Sequence, residues 1–186
     1  MAAADQQPAA IPLSGPIGGT GEDAPAATHL ELFADYSQIH VLDEESEADF
    51  SDVWTGQSVL DGLGVTDDAL AIRTAVNYTV AVAVHVLADR PDDDSAGFDH
   101  VVEASLRVAS GRLVVLGCTD YFPDAARFEL PAGWTRLRAS RRNLAAAVST
   151  LDFEGEPETL EEVRLQVWPA PPSAADVIKR WARVEE

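Results

Sequence analysis

From Tyr78 the chain places Val80, Val82, Val84 and Val86 on even positions, with Thr79, Ala81, Ala83 and His85 between them. A period of two built on β-branched residues describes a strand with two unlike faces. Ala69–Ala75 before it, and Val101–Val108 and Arg112–Cys118 after it, repeat the pattern. Four such segments between Ala69 and Cys118 predict the middle of an antiparallel sheet. The valine face should meet an opposing layer, and the alanine face should take a close cover from a helix.

The flanks extend this pattern. Leu30–Phe33 and Tyr36–Leu42 read as opening strands, and Phe128 and Leu130 mark a strand that Pro131-Ala132-Gly133 turns into Trp134–Ala139. Val163, Leu165 and Val167 alternate in a late strand stopped by Pro169, Pro171 and Pro172. Ala109-Ser110-Gly111-Arg112 reads as a tight hairpin turn, with Gly111 suited to positive φ. Ser51-Asp52-Val53-Trp54 predicts a capped helix through about Leu63, with Val53, Trp54 and Leu60 on its buried side. Asn143 to Glu162 reads as a loop with a short helix. Ser173 predicts a final amphipathic helix, Ala174 to Val184, with Val177, Ile178 and Trp181 on one side.

The expected fold is therefore mainly β: a single-domain antiparallel β-sandwich with one short internal helix and a C-terminal helix. The expected division is a disordered tail over 1–28, rich in Ala, Pro and Gly, then a sandwich over 29–172. Residues 173–186 should form the helix, packed on the domain or on a partner.

Net charge is −19, and it is unevenly placed. Up to His100 there are 19 acidic and 2 basic residues, whereas the remainder carries 13 and 11. Such a field repels nucleic acid and anionic membranes and favours basic proteins or cations, although acid also serves plain solubility. The densest clusters supply the candidate partner-binding residues: Asp43, Glu44, Glu45 and Glu47 in a run that continues through Asp49 and Asp52, then Asp92, Asp93 and Asp94. Cys118 is the single cysteine, which fits a reducing cytoplasm. No Lys or Arg precedes Arg73, as a secretory signal would require, and no apolar run reaches membrane-spanning length. A cytoplasmic protein is expected.

The constellations that carry chemistry are weak. Asp92, Asp94, Gly97 and Glu103 match part of the calcium-loop spacing, but Ala96 stands where an oxygen ligand is needed, and strands flank the loop. His29, His40, His85 and His100 lack the spacing of a helical metal pair, and His85 reads as structural. His40 is the histidine expected to be most exposed, on a strand face with Tyr36 and Gln38. Gly56-Gln57-Ser58-Val59-Leu60 lacks the second glycine of a nucleophile elbow. No catalytic residue, cofactor or metal site is assigned, and an enzyme is not expected. Trp134, Arg136 and Arg138 share a strand face in the only basic cluster and form a secondary partner-binding candidate. Their alternative role is to pair with the chain's own acid.

Ordered fragments resemble the competence protein J family, whose members inhibit a nuclease of DNA uptake. They are Tyr36-Ser37-Gln38-Ile39-His40-Val41, Trp54-Thr55, Asp68-Ala69-Leu70-Ala71-Ile72, the stretch Phe128 to Leu137, and Val167-Trp168-Pro169-Ala170. The N-terminal tail, the acidic loop and the C-terminal helix depart from the family pattern. The resemblance implies a small all-β protein that binds a nuclease, as an inhibitor or immunity-type protein. The charge agrees, because nucleases present basic clefts. The alternative is a small-molecule or cation-binding module using the Asp92 loop or an open end of the sandwich.

Overall fold

The computed structural model describes residues 26–150 and 161–182. Nearly all of the expected N-terminal tail lies outside them. The strands are β1 (Thr28–Phe33), β2 (Gln38–Asp43), β3 (Leu63–Val65), β4 (Ala69–Arg73), β5 (Thr79–Val86) and β6 (His100–Val108). They continue with β7 (Arg112–Gly117), β8 (Ala126–Glu129), β9 (Gly133–Arg142), β10 (Glu162–Pro169) and β11 (Asp176–Lys179). Two short helices, α1 (Gly56–Asp61) and α2 (Leu144–Thr150), interrupt them. One sheet has the order β1-β5-β10-β9-β6-β11, the other β3-β4-β2-β7-β8. The fold is a mainly-β sandwich.

The inner faces follow from the alternation. Val80, Val82 and Val84 are buried with Val163, Leu165, Val167, Leu137, Val102 and Leu106 of the same sheet. Ile39, Val41, Leu70, Ile72, Leu113 and Val115 meet them from the other sheet. Each fully buried Val or Leu contributes roughly 1.5–3 kcal/mol of transfer free energy, which is why a single register satisfies every strand.

Pairing differs from the sequence expectation in three places. The four strands of Ala69–Cys118 do not neighbour one another: β4 and β7 lie in one sheet, β5 and β6 in the other, with β10 and β9 between the latter two. Residues 109–111 are therefore an arch from sheet to sheet rather than a hairpin. Gly111 adopts φ 74° there, and its carbonyl accepts from Leu130 N at 2.9 Å. Second, β10 runs parallel to β5, with Val163 opposite Val82, so the larger sheet is mixed. A period of two states which face is apolar but carries no information on strand direction.

Third, the segment expected as a C-terminal helix contains a strand. β11 pairs antiparallel with the open edge of β6, with a bulge between Val177 and Lys179. Ser173 N donates to Ser105 Oγ at 3.1 Å, and Arg136 Nη1 donates to the carbonyls of Ser173 and Ala174 at 3.0 Å each. The prolines deliver an extended chain to an edge whose backbone groups need partners, and tertiary pairing overrides helix amphipathicity. The internal helix is also shorter than expected. Thr55, not Ser51, caps it, through a reciprocal pair with Ser58, and Leu60 is exposed. No helix among the described residues is long and apolar enough to cross a membrane.

Candidate functional site

The two acidic runs are straps, one across the outer face of each sheet. Residues 44–55 cross the five-stranded sheet. On β2, Ile39 and Val41 point inward, so Gln38, His40 and Leu42 project outward beneath the strap. Phe50 packs on the His40 ring at 4.4 Å between centroids, and Trp54 Nε1 donates to Gln38 Oε1 at 3.1 Å. Val53 and Trp54 lie so close to Gly64 that a Cβ there would stand 2.7 Å from Val53 Cγ2. Burial under the strap lowers the His40 pKa to about 4, so the ring is neutral at pH 7. The expectation that His40 is an exposed histidine is thus corrected.

Residues 87–99 cross the six-stranded sheet and are held by cations. Arg164 grips Asp94 with two bonds of 2.6 Å and lies 4.2 Å from the Phe98 ring centroid. Arg138 Nη1 donates to the Asp92 carbonyl at 2.9 Å, and Lys179 Nζ donates to the carbonyls of Ser95, Ala96 and Phe98. The Arg164 contact holds the Asp94 carboxyl below its ordinary range.

The acidic candidates are therefore unequal. Asp43 is buried at 3% exposure, not solvated: Oδ2 accepts from Ser110 N at 2.9 Å and Ser110 Oγ at 2.7 Å, which fastens the arch between the sheets. Glu44 is half-buried and bound by Arg112 and by Arg127, the latter at 2.7 Å. Asp94 is bound to Arg164. Glu45, Glu47, Asp92 and Asp93 are exposed, and among the described residues none of the four forms an ion pair. The clusters also stand on opposite faces of the sandwich, so one flat partner cannot cover both.

Of the two roles expected for the basic cluster, the structure shows pairing with the chain's own acid. Arg136 and Arg138 are buried on the outer face of β9, where Nε of each donates to Glu103, at 3.3 and 2.8 Å. With Trp134 they make no open basic surface; they neutralise a buried carboxylate. Among the described residues no three His, Cys, Asp or Glu side chains gather as a metal site would require.

Sequence reading missed the hollow beside the first strap. It has a volume of about 620 Å³ and is lined by Tyr36, Phe50, Trp54, Phe122, Asp49 and Asp120, among others. Tyr36 is 77% exposed on a backbone at φ 53°, and Ser37 follows at φ 55°. Asp49 and Asp52 are exposed on the strap, next to Glu47. Hydrogen bonds from Ser51 keep the Asp49 carboxyl below its ordinary range. The signal was present in 48–54, where Ala48, Phe50, Val53 and Trp54 interrupt the acid.

This two-layer sandwich aligns with a solved protein. The fold resembles that of ComJ. That structure, an inhibitor of the DNA-degrading activity of NucA from Bacillus subtilis, aligns with a TM-score of 0.60 at 16% identity, covering 78% of this chain and 97% of ComJ. A second solved structure, crocagin biosynthetic gene J, aligns at 0.49 and 14% identity with the same coverage of 78% and 97%. No protein-family model matches the chain. No curated protein matches it by sequence. At such identity the likeness to ComJ establishes a shared fold.

Proposed function

We propose that this protein works by binding a basic protein, with a nuclease as the partner and inhibition as the outcome. The observation that carries this reading is the first strap. Glu45, Glu47, Asp49 and Asp52 stand exposed on a segment whose own aromatic residues fasten it to the sheet. No cation of this chain among the described residues pairs with any of the four. Carboxylates held in place but left unmatched attract a positive surface at little cost in ordering. The fold shared with an inhibitor of a DNA-degrading activity supports the choice of a nuclease, whose DNA-tracking cleft has the required sign.

The second strap is the lesser candidate, because Arg164 and Lys179 hold it and it carries Arg90 among its own residues. The test is capture of partners from the source cells on immobilised protein, followed by association rates against any nuclease recovered. Changing Glu45, Glu47, Asp49 and Asp52 together to their amides should slow association at least tenfold at low salt, and high salt should slow the parent alike. Neutralising Asp92 and Asp93 should have a smaller effect. Equal rates for parent and strap variant across salt would leave the acid as solubility charge.

A further inference from the structure

We infer that the hollow between Tyr36, Trp54 and Phe122 receives a single arginine side chain of the basic partner. This rests on the proposed strap-mediated binding and names the point at which that binding becomes specific. Three observations converge on it. The walls are aromatic, and Tyr36 and Trp54 enter from different parts of the chain. The rim is anionic: Asp49 and Asp120 are both exposed, and Asp120 Oδ2 accepts from Gly117 N at 2.7 Å. Phe122 already stacks a guanidinium, since Arg127 lies over its ring at 5.4 Å from the centroid and donates to the carbonyls of Phe122, Pro123 and Ala125.

A planar cation that stacks on aromatic faces and pairs with carboxylates fits this hollow better than an ammonium, which keeps its water more tightly. Free acid on the strap draws the partner in; the hollow then selects one side chain by shape. Tyr36 is the residue on which this depends most. It is held outward by two successive left-handed residues, Tyr36 and Ser37, whose turn is fixed by Ser37 N donating to Asn77 Oδ1 at 3.1 Å. Left-handed backbone is costly for a tyrosine, and glycine would occupy the site without that cost.

The experiment is an NMR titration of the full-length protein with N-acetyl-arginine methylamide, with the lysine analogue and with a hexa-arginine peptide. Arginine should perturb amides at 36–40, 49–54 and 118–122 at millimolar concentration, and the lysine analogue should bind at least threefold more weakly. Y36G should melt at the same or a higher temperature yet lose arginine binding at least fivefold, which separates the side chain from the fold. Changing Glu45 and Glu47 to Gln should weaken the hexa-arginine peptide and spare the single arginine. Perturbation by hexa-arginine confined to residues 44–48 would overturn the arginine hollow while sustaining the acidic surface. No perturbation by any probe would count against both. Unchanged arginine binding in Y36G would overturn the role of Tyr36.

Discussion

The backbone N–H of Trp181 donates to Nδ1 of His100 at 3.2 Å, while Nε2 of the same ring meets the Asp61 carbonyl at 2.8 Å. Only the neutral imidazole with its proton on Nε2 satisfies both partners. The ring is 2% exposed, and burial together with the nearby Arg141 guanidinium lowers its pKa from 6.5 to about 4. His100 thus joins the segment after β11 to the end of α1.

This gives stability a pH dependence of definite sign. The unfolded histidine binds its proton at 6.5 and the folded one only near 4, so stability is fully present above pH 6.5 and is lost as pH falls towards 4. At pH 5 the loss is on the order of 2 kcal/mol for this residue. His40 adds a loss of the same sign. Urea unfolding at pH 7 and pH 5 measures it. His100→Gln should be less stable at pH 7 but less sensitive to acid; an unchanged pH slope would mean that the ring is not the titrating group.

Glu103→Gln should destabilise by about 3–5 kcal/mol, because it strands two guanidinium groups inside the protein. Glu103 is 4% exposed and holds both Arg136 and Arg138. Denaturant titration reads the loss. Partner association in the still-folded fraction should be unaffected, since this cluster is structural.

Gly64→Ala should loosen the first strap. Its Cβ would meet Val53 Cγ2 at 2.7 Å and lie near Ala71 and Trp54. The expected cost is about 1–3 kcal/mol, with a change in tryptophan fluorescence as Trp54 shifts. Slower partner association should accompany it. Normal fluorescence and stability would show that the strap absorbs the methyl group.

Val82→Asp should unfold the protein or cost more than about 4 kcal/mol, because Val82 is 1% exposed and faces the opposing sheet. Ala81→Asp, on the outward face, should be far milder. Thermal melting of the pair checks the assignment of faces.

The in–out assignment of β5 was legible because alternation is a local property. Val80 and Val82 turned inward as expected, but among the described residues no helix covers the alanine face: Ala81 and Ala83 line a shallow groove between β1 and β10. The acidic run at 43–52 was legible as a cluster but not as a strap. Its fastening depends on Phe50 meeting His40 and on Gly64 yielding space, contacts made between segments far apart in the chain. Asp43 and Glu47 look alike in sequence, yet one ties an arch and the other faces solvent.

By itself, the sequence determined the strand faces, the mainly-β class, the lack of a second cysteine to pair with Cys118 and the sign of the field. Each of these depends on composition or on neighbours one or two residues away. Tertiary structure alone decided which strands pair, that β10 runs parallel to β5, and that residues 176–179 complete a sheet edge. It also decided which carboxylates are neutralised by Arg112, Arg127 and Arg164 and which remain free. The reason is physical: backbone pairing and charge neutralisation are satisfied by whichever group the fold brings within about 3 Å, and sequence separation does not limit that choice.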